Sequence, residues 1–209
     1  EEVIKKLHPV LRWLAIDGYG FHEGYFHGKA RAGSGHFALR LSPDARHVFY
    51  QGLGRSLWFV DAADVHRISG TISSFAQPYH NDAWSGVGLA CAYAGGIAPD
   101  AIEELRHKAG LHAAGLAQGA AFAAKARQLA GNPQKHTNTA CLVLCRMSAE
   151  EAAALCDETF TQINLLQGCP YQHWRQLVQL YFFSSPETLL RGKSDEPRIS
   201  ANLAATKPH

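Results

Sequence analysis

The stretch of residues 80–96 constrains the fold more than any other part of the sequence. It opens with polar residues, runs from 83 to 94 without a charged side chain, and ends in a glycine pair. Asn81 or Asp82 would be a good N-cap, and a glycine pair is a typical helix stop. A helix with no charged face is buried on most sides, so we predict a buried helix with a polar start. Its small residues allow neighbouring helices to approach closely: Gly86, Gly88, Ala90, Ala92 and Ala94.

Other segments predict helices around this one. Ser42-Pro43-Asp44 combines an N-cap, a proline at the first helical position and an acid in the first turn. Pro9 is expected either to kink the first helix or to mark its true start. The segment 137–147 is apolar and ambiguous between helix and strand. Helices are predicted over residues 2–15, 43–60, 61–75, 99–130, 148–167 and 170–183.

The glycine-rich segment 17–36 interrupts the helical pattern, because glycines interleaved with aromatic residues seldom form regular helices. We predict a structured loop there, with one helical turn at residues 21–26. The sum is a mainly α fold, a compact multi-helix bundle around the buried helix. Repeated cap–helix–glycine layouts also suggest an α-solenoid, although we identify no fixed period. We predict one helical domain over residues 1–191 and a loose polar tail over 192–209.

Composition argues against several classes of protein. The net charge is +2, with 46% hydrophobic and 18% charged residues, which is typical of a globular protein and gives no support for binding nucleic acid or acidic membranes. No signal peptide and no membrane span is visible. The five cysteines, without a C-x-x-C pair, indicate buried thiols in a reduced, cytoplasmic compartment. The start lacks methionine and is already helical in pattern, so we interpret it as processed or trimmed, with a natural N-terminal part missing.

Three features carry possible chemistry. His22 and His27 flank Glu23, but they are five residues apart, about 140° around a regular helix, so they fit a metal site only if a loop brings them together. His80, Asp82 or Asp17 would then complete it. The alternative is that both histidines hydrogen-bond backbone groups.

Aromatic residues are dense in the same segment, which suits the wall of an apolar ligand pocket. Ordinary anchoring of a loop into the core explains that density equally well. The four aromatic residues are Tyr19, Phe21, Tyr25 and Phe26.

A polar stripe follows the helix predicted over residues 43–60. Its arginine, Arg55, needs a partner, because a lone buried charge costs free energy. A structural ion pair is favoured over a ligand oxygen, and the candidate partners are Asp82, Asp61 and Glu23. The stripe consists of His47, Gln51, Arg55 and Trp58.

Several stretches resemble the UnbL-like family, a bacterial family of unknown function met in enediyne and other polyketide gene clusters. The similar region covers roughly residues 10–160 and implies a place in secondary metabolism, without an activity, cofactor or catalytic residue. The stretches are Asp17-Gly-Tyr-Gly-Phe-His-Glu-Gly-Tyr-Phe26, Tyr50-Gln-Gly-Leu-Gly-Arg-Ser-Leu-Trp-Phe59, Asp82-Ala-Trp-Ser-Gly-Val-Gly-Leu-Ala-Cys-Ala-Tyr-Ala-Gly-Gly96, Gln118-Gly-Ala-Ala-Phe-Ala-Ala-Lys-Ala-Arg127 and His136-Thr-Asn-Thr-Ala140.

The first hypothesis is an enzyme or accessory protein that binds an apolar, polyene or polyketide-derived small molecule. Arg55 would orient an anionic group of that molecule. The predicted site requires the start of the buried helix to face residues 19–27. The pocket wall would be Tyr19, Phe21, Tyr25, Trp58 and Trp84. The acid–base groups would be His22, Glu23, His80 and Asp82.

Two rival hypotheses use the same sequence. One is a non-catalytic helical interaction module that docks a polyketide synthase or carrier protein. The other is a metalloprotein whose ligands are His22, His27 and His80. The sequence leaves open whether the protein is an enzyme, which cofactor it would use, and whether it forms a homodimer.

Overall fold

The computed structural model describes residues 7–28, 38–165 and 168–184. Within these ranges every regular element is helical, and the mainly α prediction is confirmed. Short 3-10 turns are Leu11–Trp13, Ala38–Arg40, Gln77–Tyr79 and Gly110–His112. The α-helices are α1 Leu14–Phe26, α2 Pro43–Val60, α3 Val65–Ser73, α4 His80–Ala94, α5 Pro99–Ala109, α6 Ala113–Leu129, α7 Lys135–Leu144, α8 Ala149–Phe160 and α9 Pro170–Ser184.

The helices α2 and α4 lie side by side and run in the same direction. At their first turns the His47 Nδ1 is 2.7 Å from Asp82 Oδ2. At their far ends the Trp58 indole donates to the Gly95 carbonyl at 3.1 Å. The shorter helix α3 lies between them in the chain and returns to the starting end.

The same arrangement extends on both sides. α6 follows α4 in parallel, since their first turns meet where His80 stacks edge-on against His112, and their last turns meet where Arg127 donates to the Tyr93 carbonyl at 2.6 Å. On the other side of α2, α1 is packed closely through its glycines. We call α1, α2, α4 and α6 the array.

Glycines allow close contact at each interface between neighbouring helices of the array. A Cβ added to Gly52 would lie 1.8 Å from the Asp17 carbonyl oxygen of α1, so only glycine fits there. Gly86 meets the Gln51 oxygen at 1.9 Å in the same way. On α6, a Cβ added to Gly119 would lie 1.9 Å from the carbonyl oxygen of Ser85. These three glycines are almost evenly spaced along the chain.

A second set of glycines lies on the other helix of each of these interfaces. Gly20 would place a Cβ 2.0 Å from the Phe49 oxygen of α2. Gly54 of α2 and Gly88 of α4 make the equivalent contacts with the next helix. The structure therefore has the spacing of about 34 residues that is typical of stacked helical hairpins. The predicted compact multi-helix arrangement is confirmed over the described residues. We did not identify this spacing from the sequence, and it agrees with the α-solenoid alternative for the four helices of the array.

The glycine-rich segment differs most from its prediction. Residues 14–26 form a continuous α-helix, not a loop with one turn. The glycines are there for packing: Gly20 and Gly24 lie against backbone or side chains of α2, so their absent side chains permit close contact. The first helix was also placed too early, because residues 7–10 are not helical. Residues 1–6 lie outside the described ranges.

Several boundaries were also misplaced. The predicted helix over 99–130 is two helices, because Gly110 adopts φ +52° between them. Residues 61–64 form a turn before α3, and α8 ends at Phe160 rather than near 167. The N-cap of α4 is Tyr79, which leaves Asn81 and Asp82 inside the first turn with their side chains free for tertiary contacts.

Other predictions are confirmed. α2 begins at Pro43 with the Ser42 side chain accepting from a backbone N–H, and Ser148 and Glu151 form a capping box on α8. The ambiguous segment near 137–147 is helical. The five cysteines are buried and unpaired. No helix in the described ranges is long and apolar enough to cross a bilayer. The predicted tail over 192–209 lies outside these ranges.

Candidate functional site

The helix α9 crosses the array instead of extending it. Near its start, the Tyr171 hydroxyl donates to Gln51 Oε1 of α2 at 3.1 Å. One turn on, the Trp174 indole donates to the Cys156 carbonyl of α8 at 3.0 Å. Both side chains are buried. α9 is thus tied to helices that lie far apart in the sequence.

The middle of α9 contacts α4 and α6. Arg175 is 0% exposed, and its Nη2 is 3.0 Å from Asp82 Oδ1 of α4. Its Nε donates to Gln118 Oε1 of α6 at 3.4 Å. Gln179 donates to the same oxygen at 3.1 Å, and accepts from Asn81 at 3.0 Å. A single helix therefore reaches α2, α4, α6 and α8 through hydrogen bonds and one buried ion pair.

These contacts meet a row of buried polar residues, one from each helix of the array. In α2, α4 and α6, each of these residues comes directly before the glycine that contacts the preceding helix of the array. In α1, it comes directly before Gly18, which is at the equivalent position. The row therefore has the same spacing along the chain as these glycines. All four are at most 4% exposed. The row consists of Asp17, Gln51, Ser85 and Gln118.

Hydrogen bonds join part of this row. Ser85 Oγ donates to Gln118 Oε1 at 2.8 Å, so that one oxygen accepts from three side chains. The Nε2 atoms of Gln51 and Gln118 have no hydrogen-bond partner among the described residues. Burying an unpaired amide costs free energy. The row is therefore a polar layer that is only partly satisfied by the protein itself.

The charges in this layer balance in two groups. Asp17 pairs with Arg55, and Asp82 pairs with Arg175 on one oxygen and with His47 on the other. Burial raises the pKa of Asp17, and the nearby Arg55 opposes that shift. The hydrogen bond to Asp82 raises the pKa of His47 against the opposing effect of its burial. Each carboxylate is already engaged by a guanidinium, an arrangement suited to holding helices together.

Each of the four side chains of the predicted stripe on α2 has a partner within the protein, and the ligand roles of Arg55 and Trp58 stay predictions. We predicted that Arg55 forms an ion pair, and it does, but with Asp17 rather than with Asp82, Asp61 or Glu23. We predicted a loop over residues 17–36 and therefore did not name Asp17 as a partner of Arg55. The observed helix brings Asp17 beside α2. The Arg55 guanidinium also lies 4.7 Å from the Phe21 ring centroid.

The predicted acid–base residues fall into two groups. His22 and Glu23 lie near the end of α1, whereas His80 and Asp82 lie in the first turn of α4, with α2 between. His80 Nε2 is 2.9 Å from the Phe75 carbonyl oxygen. Within the described ranges no hydrogen bond or ion pair joins the two groups. Their catalytic roles stay predictions.

The end of α1 brings together three groups that can bind a cation. His22 Nδ1 is 3.5 Å from Glu23 Oε1, and His27 Nδ1 is 3.0 Å from Glu23 Oε2. One ligand atom from each lies within 4.8 Å of the others. The two histidines converge because His27 is the C-cap, beyond the regular helix. His80, the third ligand of the predicted metal site, is not part of this cluster.

The predicted pocket wall is also divided. Tyr19 packs edge-on against Phe49, and Phe21 stacks on Tyr25 at 5.6 Å between ring centroids. Trp58 and Trp84 are buried in the core, at 3% exposed each. Tyr19 and Phe21 pack on α2, which agrees with the core-anchoring alternative, whereas Tyr25 and Phe26 contact each other and are 47% and 68% exposed. A ligand role for this wall stays a prediction.

A shallow recess of about 360 Å³ lies between the starts of α4 and α6 and the outer side of α9. Three of the residues that line it are exposed apolar side chains: Leu111, Leu180 and Phe183. Three others carry amide groups: Asn81, Gln176 and Gln179. The recess lies away from residues 17–27, where we predicted a pocket.

Sequence reasoning missed the polar row and the role of Arg175. A signal for the row was present, because a polar residue followed by glycine recurs at the repeat interval. The pairs are Asp17-Gly18, Gln51-Gly52, Ser85-Gly86 and Gln118-Gly119. No comparable signal marks Arg175, whose partner depends on how α9 crosses the array.

Comparison with curated proteins and with solved structures gives no match. A family model, by contrast, matches residues 1–182, which includes all of the array and almost all of α9. The chain therefore belongs to the family described as "Protein of unknown function (DUF1702)".

Proposed function

We propose that the chain is a non-catalytic helical-repeat module that docks a partner protein through the recess beside α9. The observation that carries this proposal is the placement of α9 across the array. Gln51, Gln118 and Asp82 are engaged in holding that helix, and the Asp17–Arg55 pair joins α1 to α2. The outer side of α9 is left with apolar side chains facing solvent.

The chemistry of the recess suits a protein partner. Leu111 is 96% exposed, Phe183 65% and Leu180 59%, which is unusual for large apolar side chains grouped around one depression. The amides beside them offer neutral donors and acceptors. An apolar centre with a polar rim is the usual anatomy of a protein interface. The expected partner presents an apolar anchor side chain flanked by backbone or amide groups.

A photo-crosslinking amino acid at position 111, introduced in the organism that naturally makes this protein, tests this docking surface. We expect it to capture one protein, and we expect Phe183→Asp to abolish the capture. The matched control places the same amino acid at Leu129, which is 76% exposed on α6 but does not line the recess. Equal capture at both positions, or capture that survives Phe183→Asp, would overturn the proposal.

An apolar small molecule is a second candidate for the same recess. The volume of about 360 Å³ falls at the lower end of the range for ligand sites. Titration with a fluorescent polyene fatty acid tests this candidate. Saturable binding that Phe183→Asp removes would favour it over a protein partner.

A cation site is a third candidate, favoured by the convergence of His22, Glu23 and His27. Two imidazoles and a carboxylate form a known zinc ligand set, and a helix C-terminus favours positive charge. Calorimetric titration with zinc chloride would detect it. Binding that is unchanged in His27→Ala would exclude these ligands.

The resemblance to the UnbL-like family adds a biosynthetic context, and we propose that the partner belongs to a polyketide pathway. We further propose that the protein works in the cytoplasm. Deletion of the gene in a producing strain should abolish or alter the polyketide product, and complementation should restore it. An unchanged polyketide product in the deletion strain would contradict the proposed role in a polyketide pathway. It would not contradict the proposed docking surface.

A further inference from the structure

Glu23 is a buried carboxylate without a permanent positive charge beside it. The residue is 5% exposed, and its ion-pair partners among the described residues are His22 and His27. The buried carboxylates of Asp17 and Asp82, by contrast, each contact a guanidinium. Burying a carboxylate costs free energy unless a fixed opposite charge compensates it. An imidazole is neutral over much of the physiological pH range, so Glu23 is less well compensated than the two aspartates.

One oxygen of this carboxylate also lacks a hydrogen bond. Glu23 Oε2 is buried and has no hydrogen-bond partner among the described residues. His27 Nδ1 lies 3.0 Å from that oxygen, but the contact does not have the geometry of a hydrogen bond. The oxygen and the nitrogen therefore face each other at close range without a bond, which is how two ligands of one ion lie.

The spacing of the three groups matches the coordination sphere of zinc. One ligand atom from each of His22, Glu23 and His27 lies within 4.8 Å of the other two. The nearest approaches to the carboxylate are 3.5 Å from His22 Nδ1 and 3.0 Å from His27 Nδ1. Zinc bonds of about 2.0–2.2 Å in a tetrahedron place neighbouring ligand atoms about 3.3–3.6 Å apart. Small rotations of the side chains are enough to reach that geometry.

The ligand types and their exposure define the kind of site. Calcium and magnesium prefer oxygen ligands, whereas two imidazoles and one carboxylate suit zinc. The His22 and His27 side chains are 55% and 42% exposed, and that of Glu23 is 7% exposed. No fourth group among the described residues joins the cluster. An ion held here lies at the surface, above a buried carboxylate, with one coordination position left for a ligand from outside the cluster.

We infer that zinc is a resident ion of this protein, held by His22, Glu23 and His27 at the end of α1. The ion supplies the fixed positive charge that Glu23 lacks, and it fixes the end of the helix. Its fourth position takes water or an anionic ligand atom. This inference rests on the cation site proposed as a candidate function and not on the recess beside α9, so either can fail without the other.

Cobalt(II) in place of zinc makes the coordination visible, because four-coordinate cobalt absorbs strongly in the visible range. The chain, stripped of metal with a chelator, should gain these bands with one equivalent of cobalt chloride, and one equivalent of zinc chloride should remove them. His22→Ala should weaken zinc binding by at least about tenfold, since loss of a residue that only orients a ligand already costs that much. Absence of the bands, or bands that His22→Ala leaves unchanged, would overturn the inference.

The matched control for this titration is His66→Ala. His66 Nε2 is 2.9 Å from Glu104 Oε1, so this is also a histidine–glutamate pair, but no third ligand among the described residues joins it. His66→Ala should therefore bind cobalt and zinc like the unsubstituted chain. A loss of binding equal to that of His22→Ala would show that the metal is not held at the end of α1.

Thermal unfolding separates a zinc site from an ordinary ion pair. Zinc bound to the folded chain should raise its Tm, and it should leave the Tm of Glu23→Gln unchanged. Without metal, Glu23→Gln should be at least as stable as the unsubstituted chain, because the neutral amide removes a buried charge. If Glu23 served only as an ion-pair partner of the histidines, Glu23→Gln would lower the Tm equally with and without zinc. That result, or equal stabilisation of both proteins by zinc, would contradict the zinc site.

Discussion

At the scale of single residues, Asp82 joins more of the structure than any other predicted site residue. Its two carboxylate oxygens hold His47 of α2 and the fully buried Arg175 of α9. The sequence suggests an acid–base role for Asp82 because it lies at the polar start of the buried helix. Its observed neighbours are a buried guanidinium and a histidine, so Asp82 holds three helices together, and its acid–base role stays a prediction.

Removal of this carboxylate should be costly. Asp82→Ala leaves the Arg175 guanidinium buried without its anion, for which we expect a loss of about 3–5 kcal/mol in the free energy of unfolding. Asp157→Ala is the control, because its carboxylate pairs with Lys125 while 59% exposed, and its loss should cost at most about 1 kcal/mol. Urea denaturation of both variants measures the difference. Similar losses would contradict the structural role of Asp82.

His47 should make stability depend on pH. Its pKa is raised in the folded protein from the ordinary 6.5, so its contribution is complete below that value and disappears as the pH rises through the folded pKa. The unfolding free energy should therefore fall as the pH rises above 6.5 and through the folded pKa of His47. The variant His47→Gln should show a smaller fall. An identical pH profile in both proteins would contradict the assignment of this effect to His47.

At the scale of elements, the array shows how glycine determines helix packing. Glycine lowers helix propensity, which is why the sequence of segment 17–36 predicts a loop. In α1 that cost is outweighed, because Gly20 and Gly24 let the backbone approach α2 more closely than any side chain permits. The same argument is correct for α4, where Gly86 and Gly88 are predicted to admit neighbours. The difference is that Gly86 and Gly88 lie among valine, leucine and alanine, whereas the glycines of α1 alternate with aromatic and charged residues.

The glycine contacts can be tested within one protein. Gly86→Ala would place a methyl group 1.9 Å from the Gln51 carbonyl oxygen, and we expect it to destabilise the fold by about 3 kcal/mol or more. Gly70→Ala meets no neighbour within 4 Å and should stabilise α3 by about 0.5–1 kcal/mol. Thermal and urea unfolding would show whether each substitution lowers or raises the free energy of unfolding. A neutral Gly86→Ala would mean that α2 and α4 are not in such close contact.

At the scale of the whole molecule, α9 makes contacts that a simple array of helical repeats lacks. Stacked hairpins contact only their neighbours, and such arrays can unfold piece by piece. Here α9 is bonded to α2, α4, α6 and α8, so helices that are separated in the array share one set of partners.

We therefore expect the described helices to unfold as one cooperative unit. Tryptophan fluorescence, reporting on Trp13, Trp58, Trp84 and Trp174, and far-ultraviolet circular dichroism should give coincident transitions in urea. Backbone amides of α9 should exchange with solvent only through global opening. Two separate transitions, or early exchange of α9, would show that α9 is a detachable element.

Local chemistry in the sequence specifies the helical class, the buried helix at residues 80–94, the starts of α2, α8 and α9, and the buried state of the cysteines. Caps, proline positions and the absence of charge predict the helical features, and cysteines without a C-x-x-C pair predict buried thiols. The sequence also contains the period of the array, in four polar–glycine pairs. Tertiary packing, by contrast, makes α1 a helix, pairs Arg55 with Asp17, and brings α9 across the array to bury Arg175. Those outcomes depend on contacts between residues far apart in the chain, and no local propensity specifies them.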